Sequence, residues 1–560
     1  MRSGSAWCGT AIALVLCLGP RAAFGYGALF SSAAPVVETQ ASVLFRLDPA
    51  TRQVDVLLDV SYQGDARDFV WLIPLRAAPT SIELGSSHAF TVADRLTAPR
   101  FELSSTKRVG ICTTDPAPGR GPAPGPDPGF QQNETPDIVP LLRAQLGPYE
   151  TTVLAGADAA SIEQWLTRHQ YPVSTAMMER VAPYVAEGDV LLALRLRGDQ
   201  DTGDLQPLAL SLPSDDLRLP LRLTAISAAD DVALTAFFLS SSGRAIPDNV
   251  LHVVPNLARI DWLGRGANYR QVIAAAADEG GGNAFTTEYA GPAQIFAAQI
   301  FREGQIDLAP LRAATTVRAF VDEAERQGLA DRVELPGILR RAIGAVALDE
   351  AVNVAPAGCL RCYADQLGAR LLDAVSAARE IEERILVPER RAQQLFDTSG
   401  TLTRLLSVTS GPDMKIDPTF SFEEGLPEVP NLHSATLVLD CGLAGVPGSA
   451  GGRIELADGS TIELDAQGKA DPLIATLPAA ARVEQLKHHT VVKDNVPGIE
   501  RGLDLQSAHS GGGCRCVVGD SQGPSVLAGA LLVLLAFRRR TRAPGAPDRS
   551  SSSPRSENPR

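Results

Sequence analysis

The spacing of apolar residues changes twice along this chain, and that change limits the folds open to it. In the first 300 or so residues the apolar positions alternate in short runs, as in Ala41-Ser-Val-Leu-Phe-Arg-Leu47 and Val54-Asp-Val-Leu-Leu-Asp-Val-Ser-Tyr62. A period of two puts one set of side chains on each face, so these runs read as strands, joined by the turn Asp48-Pro49-Ala50-Thr51. Phe69-Val-Trp-Leu-Ile-Pro74 reads as a third strand closed by its proline. Residues 147–154 are extended and lead into a helix over 159–168 capped near Asp158. Residues 190–197, 217–226 and 232–239 are further strands, with edges at 250–254 and 259–262. A short helix over 269–277 ends in Gly280-Gly281-Gly282, and 285–289 returns extended.

From residue 308 to 407 the recurrence becomes i, i+3, i+4, the mark of amphipathic helices. It places helices over 314–327, 336–345, 367–385 and 390–406, with Pro388 separating the last two. After Pro427 strands resume at 435–439 and in the pair within 453–464, where Asp458-Gly459 is a hairpin signal. The expectation is an α+β chain with a β-rich N-terminal region (26–310), a helical middle region (311–410) and a small β-rich C-terminal region (411–509). Residues 113–129 alternate proline with glycine and form a long surface loop or a boundary. No internal repeat is evident.

Both ends carry addresses. Met1-Arg2, the apolar stretch 6–19 and the small residues Ala23 and Gly25 make a signal peptide (1–25), cleaved after Gly25 to leave Tyr26 first. At the other end a Gly/Cys linker (510–523) with Cys514 and Cys516 precedes the uncharged run 526–537. Arg538-Arg539-Arg540 and Arg542 follow that run, and a disordered basic tail occupies 543–560. At a rise of about 1.5 Å per residue the strict run covers roughly 18 Å, short against a hydrocarbon core of roughly 30 Å. The expectation is a single short transmembrane helix within 524–542, its arginines on the cytoplasmic side. Cysteine, short apolar helix and arginine cluster resemble the C-terminal sorting signal of myxobacterial surface proteins. The resemblance implies cleavage by a sorting peptidase near Cys514 or Cys516 and a lipid-linked anchor at the cell surface; a retained helix would leave the protein facing the periplasm.

Composition bounds the partners. The chain has 560 residues, 45% of them hydrophobic, and a formal net charge of −14. No basic face concentrates enough arginine to neutralise phosphates, which argues against nucleic acid. Of eight cysteines, four fall in the exported body: Cys112, Cys359, Cys362 and Cys441. An even count in an oxidising compartment reads as disulfides, with three possible pairings.

Several stretches together resemble the exported bacterial family catalogued as domain of unknown function 2330. They are Tyr62-Gln-Gly-Asp-Ala-Arg-Asp-Phe-Val-Trp-Leu-Ile-Pro74, Gly147-Pro-Tyr-Glu-Thr151, Ala258-Arg-Ile-Asp-Trp-Leu263, Ala277-Asp-Glu-Gly-Gly-Gly-Asn-Ala-Phe285, Leu402-Thr-Arg-Leu405 and 414–420. The resemblance runs from about residue 30 to about residue 440 and implies one fold unit and export. Members often begin with Cys-Gly-Gly after the signal, where this chain has Tyr26-Gly27-Ala28. The family brings no established activity.

Three constellations could carry chemistry. Cys359-Leu-Arg-Cys362 has redox spacing, but only half of the strand-to-helix setting that use needs, and no second ligand pair for zinc lies near. Structural disulfides are the favoured reading. Asp278, Glu279, the three glycines, Asn283 and Glu288 could cage a hard cation, against the plainer reading of a glycine helix end with solvated charges. Gly519-Asp-Ser-Gln-Gly523 matches G-x-S-x-G, yet no strand precedes Ser521 to build an oxyanion hole. The seven histidines are scattered, and His252 reads as a packed or edge strand residue rather than a base. No nucleotide or metal cofactor is implied. The chain reads as an exported, membrane- or surface-anchored envelope protein whose body binds a partner or ligand or serves a structural role. The alternative is an exported enzyme or thiol redox protein using Cys359 and Cys362 or the acids from Asp278 to Glu288.

Overall fold

The computed structural model describes residues 28–31, 37–63, 69–108, 140–154, 158–169, 173–196, 205–226, 228, 231–343, 360–440, 451–465 and 468–510. The signal peptide with Gly25 and Tyr26, the loop 113–129, Cys112, Cys359, Cys441, Cys514, Cys516, Ser521 and the apolar run 526–537 lie outside the described residues. Among the described residues no helix is long and apolar enough to cross a membrane.

Two sheets form the centre. The larger has seven strands in the order Thr286–Pro292, Thr401–Thr409, Val232–Ser240, Val37–Asp48, Gln53–Gln63, Leu208–Leu212, Ser81–Leu84. The smaller has five, Ala28–Ser31, Phe69–Leu75, Val190–Leu196, Tyr149–Leu154 and Pro140–Leu146. Alternation along each strand decides which layer a side chain joins. Val43, Phe45, Val54, Val56 and Leu58 of the large sheet meet Trp71, Ile73, Val153, Leu192 and Leu194 of the small one in a shared core. The intervening Leu44, Leu57, Phe237 and Leu239 face the other way, against Phe90, Phe296 and Phe396 from helices. On the far side of the small sheet, Leu72, Leu154 and Leu191 pack on Trp165 and Tyr184 from helices Ala159–Arg168 and Thr175–Ala186. The result is four layers, helix on sheet on sheet on helix, the arrangement that buries both faces of both sheets.

The α+β class and its β, α, β succession hold, with the regions interleaved more than their order suggests. Strand Arg100–Arg108 pairs in parallel with Leu432–Asp440, joining the first region to the last in a four-stranded sheet completed by Gly451–Leu456 and Thr461–Leu464. The hairpin at Asp458-Gly459 forms as expected, Gly459 taking a φ of +87°. Asp158 accepts the amide of Ser161 at 2.7 Å and starts its helix as expected.

Four expectations are corrected. The stretch expected as one helix over 390–406 divides into helix Val387–Asp397 and strand Thr401–Thr409. The break falls at Thr398-Ser399-Gly400, and the strand that follows pairs between Thr286–Pro292 and Val232–Ser240; its Leu402, Leu405 and Leu406 fall at helical spacing, which hides it. Pro388 does not separate two helices. The chain passes through it as Ala374–Ile381, a widened π-turn Glu382–Leu386, then Val387–Asp397. Proline has no N–H for the carbonyl of Arg384, and Gln206 Nε2 donates to that carbonyl instead. The strand expected over 217–226 is two residues, Leu217–Arg218, followed by a helical turn Leu221–Thr224. Asp417 Oδ1 accepts the Arg222 amide at 2.9 Å and holds that turn in place. Likewise 259–262 is no strand edge; a 3₁₀ turn, Leu257–Arg259, occupies its start.

Candidate functional site

The acids singled out between Asp278 and Glu288 part company in the fold. Helix Tyr269–Glu279 ends in a glycine cap, with Gly281 and Gly282 at φ of +94° and +92° and the Gly282 amide returning to the Ala277 carbonyl at 2.8 Å. A Cβ on Gly282 would lie 2.6 Å from Asp413 Cγ, so this glycine is also needed for a close approach. Asp278 stays exposed, its carboxyl raised by lost hydration and by Asp413 and Asp231. Glu279 accepts the Ala479 amide at 2.7 Å and Asn495 Nδ2 at 3.1 Å, which ties the helix to the C-terminal region. Glu288 is buried against Arg404, whose Nη1 also reaches Asp94 Oδ1 at 2.7 Å and Thr97 Oγ1 at 3.2 Å. No three metal-ligating side chains converge among the described residues. The glycine helix end of the plainer reading forms, but its charges are not all solvated: Asp278 is exposed, Glu279 is hydrogen-bonded and Glu288 is buried. Of the cysteines expected in the body, Cys362 is described, on helix Leu360–Leu367.

What the fold does bring together is a line of polar groups around His252. This residue heads strand His252–Pro255, directly opposite Glu484 of strand Ala480–Gln485, and is bridged on its other side to Phe285. Two residues beyond Phe285 the pairing of Thr286–Pro292 with Thr401–Thr409 slips at a bulge between Thr287 and Tyr289. The extra residue lets Thr287 reach His252 while Glu288 reaches Arg404.

His252 Nε2 accepts the Thr287 backbone N–H at 3.2 Å and lies 3.1 Å from Thr287 Oγ1. An amide can only donate, so Nε2 carries no proton and the ring proton sits on Nδ1. That nitrogen lies 3.4 Å from Glu484 Oε2, long for a hydrogen bond. Arg244 Nη2 donates to Thr287 Oγ1 at 3.0 Å. Arg244 donates to the hydroxyl, the hydroxyl and the amide of Thr287 share the one Nε2 lone pair, and Nδ1–H faces the carboxylate without a hydrogen bond. Burial pulls His252 below the usual histidine range, and His252 holds Glu484 below the usual carboxylate range. Burial also pulls the Arg244 guanidinium down, opposed only by Glu484, and its buried Nε has no hydrogen-bond partner.

Sequence reasoning gave His252 a packing role and passed over Arg244, Thr287 and Glu484. Each comes from a separate segment, so no local spacing marks them. Other histidines are spent on local contacts: His88 Nε2 faces the Gln299 carbonyl at 3.2 Å, His169 stacks on Trp165 at 4.1 Å, and His433 stacks on Phe101 at 5.1 Å.

Two clefts lie nearby in the fold. One, of about 350 Å³, is lined by Arg244 together with Gly243, Gly291, Gly400, Gly425 and Glu428. The other, of about 380 Å³, opens between the Trp262 segment and the four-stranded sheet. Ile260, Ile454, Ile462, Leu464 and Ile474 line it with mostly apolar surface, and Arg259, Asp261, Lys469 and Asp471 supply charges.

Residues 20–314 match the sequence model of a family described as an uncharacterized protein conserved in bacteria, domain of unknown function 2330. The chain belongs to that family. The match covers all five strands of the small sheet and every large-sheet strand except Thr401–Thr409, and it ends where the helical region begins. No curated protein and no solved structure matches the chain.

Proposed function

We propose that this member of the family is exported, is held at the cell envelope by its C-terminal segment, and uses its folded body as a binding module. The observation that carries the binding reading is the cleft of about 380 Å³ between the Trp262 segment and the four-stranded sheet. Its volume falls in the range of small-ligand sites, about 300–1,000 Å³, and an apolar floor with a few polar groups is the usual make-up of such sites. Isoleucines below and Arg259, Asp261, Lys469 and Asp471 around them suit an amphipathic ligand with a compact apolar part and a polar or charged end. Leu263 beside it is 48% exposed, which extends the apolar surface toward an incoming partner.

Export and anchoring rest on the two terminal addresses, and the oxidising compartment they lead to supports disulfides among Cys112, Cys359, Cys362 and Cys441. The intact mass of protein extracted from native membranes tests this. A mass beginning at Tyr26 and ending near Cys514 or Cys516 with added acyl groups is expected; a mass including Met1 would refute export.

The cleft is tested by filling it. Ala475 lines it and is solvent-exposed, so Ala475→Trp occludes it without entering the core. An anilinonaphthalene dye titrated into the folded protein should bind one site in the natural sequence and lose that site in the variant. Equal binding by both proteins removes the cleft from consideration.

A further inference from the structure

The His252 line carries a chemistry that a binding module does not need. We propose that Thr287 is an activated hydroxyl that accepts the acyl group of a small carboxylic ester, with His252 as its base and Glu484 as the group that orients that base. This goes beyond the binding reading and stands or falls apart from it, since the apolar cleft contains none of these residues.

Four observations meet at this point. The first is the proton order: His252 Nε2 is held free of its proton by the Thr287 amide at 3.2 Å and sits 3.1 Å from the Thr287 hydroxyl it would deprotonate. The second is the third partner. Glu484 faces Nδ1 as the direct cross-strand neighbour of His252, so the sheet itself fixes the imidazole between acid and hydroxyl. The separation of 3.4 Å is of the kind that closes when charge develops on the ring.

The third observation is Arg244. A donor on Thr287 Oγ1 at 3.0 Å favours the alkoxide over the alcohol, and the buried Nε–H of the same guanidinium has no hydrogen-bond partner. Arg244 makes no ion pair with a carboxylate among the described residues, so its donors are not already spent. It also lines the glycine-bordered cleft of about 350 Å³, whose wall includes Ala290, three residues beyond Thr287 on the same strand. The fourth observation is exposure. His252 is 4% exposed, shielding the base, while Thr287 is only partly buried and can be reached.

The step balances without a cofactor. Thr287 Oγ1 forms a bond to the ester carbonyl carbon as its proton passes to His252 Nε2. Arg244 stabilises the carbonyl oxygen as it becomes an oxyanion. When the C–O bond to the alcohol breaks, His252 returns the proton to the departing oxygen and leaves an acyl-threonine. Water, deprotonated by the same nitrogen, then releases the acid and restores the hydroxyl.

The test uses the full chain with p-nitrophenyl acetate. We expect release of nitrophenolate together with one acetyl group on the peptide holding Thr287, found by mass spectrometry after digestion. Thr287→Val should abolish that label, Thr287→Ser should keep it, and His252→Asn should slow it by roughly 10²–10⁴-fold. Glu484→Gln should move the pH profile of acetylation as well as its rate, which loss of a merely structural contact would not do. Thr287→Ser keeps the test readable if Thr287→Val fails to fold. Acetylation confined to lysines overturns the proposal, as does labelling of Thr287 that proceeds unchanged in folded His252→Asn.

Discussion

Two of the polar networks among the described residues differ in what they leave over. The first lies where helix Thr175–Ala186 meets the turn Leu221–Thr224. Arg218 pairs with Asp189 and reaches Glu187 Oε2 at 3.1 Å; Arg76 meets Asp189 at 3.2 Å and Asp216 at 2.7 Å. Arg222 meets Glu187 at 2.9 Å and Asp417 at 3.0 Å, and lies 4.6 Å over the Tyr184 ring, whose hydroxyl donates to Asp417 at 2.9 Å. Every arginine there has at least two carboxylates. Around His252 one arginine has none in contact, and one of its N–H groups has no acceptor. The charges of the first network are spent on one another, so it reads as a clasp. The second has donors to spare at a partly exposed hydroxyl, and spare capacity of that kind is what a reaction can use.

The sharpest way to break this contrast is to open the clasp. Arg218→Ala leaves Asp189, whose side chain is 1% exposed, without its main partner. Removing one member of a buried pair typically costs about 3–5 kcal/mol, and a loss of that size is expected in urea unfolding. A loss below about 1 kcal/mol would mean the clasp is no more tightly held than an exposed pair.

Asp59 sharpens the contrast from a third side. It stands on the helix-facing side of strand Gln53–Gln63, opposite Ser42, with no hydrogen bond or ion pair to its side chain among the described residues. Lost hydration, and after it the neighbouring Glu334, push its carboxyl up to about 7. An acid escapes such burial by taking a proton, whereas an arginine cannot, so Arg244 stays charged and open. Because the folded form holds the Asp59 proton more tightly than the unfolded chain does, this site weakens the fold progressively as pH rises from about 4 to about 7. Asp59→Asn has no proton to lose. Its stability advantage should be absent near pH 4 and reach about 2 kcal/mol by pH 8, discounted for partial exposure, as read by melting curves across that range.

Much of the scaffold for these networks is legible in the sequence and their assembly is not. Strands Val37–Asp48 and Gln53–Gln63, the Asp158 cap and the Asp458-Gly459 hairpin announce themselves because each is decided by residues within a few positions. Thr401–Thr409 does not, because Leu402, Leu405 and Leu406 recur at i, i+3, i+4 and so continue the pattern of the helix before it. The turn at Leu221 was hidden for another reason: its amide is held by Asp417, far along the chain. The His252 line combines both difficulties. His252 and Thr287 are 35 positions apart, Glu484 arrives from the C-terminal region, and the bulge that turns Thr287 toward the histidine is visible only as a register slip between paired strands.

The smallest expected effect is the one that best separates the two networks. Thr287→Val removes one hydroxyl of nearly unchanged volume from a partly exposed position. The Arg244 donor and the His252 acceptor it leaves are a charged group at the mouth of a cleft and a nitrogen still bonded to the Thr287 amide. Neither is stranded in the way Asp189 would be. A single hydrogen-bonding hydroxyl of this kind contributes about 0.5–1.5 kcal/mol, so the variant should lose no more than about 1 kcal/mol in urea unfolding. If it instead loses as much as Arg218→Ala, the hydroxyl is the keystone of a second clasp and the line exists for stability. A small loss leaves the polar line without a structural reason for its geometry, because a valine would then serve the fold nearly as well as the threonine that is there.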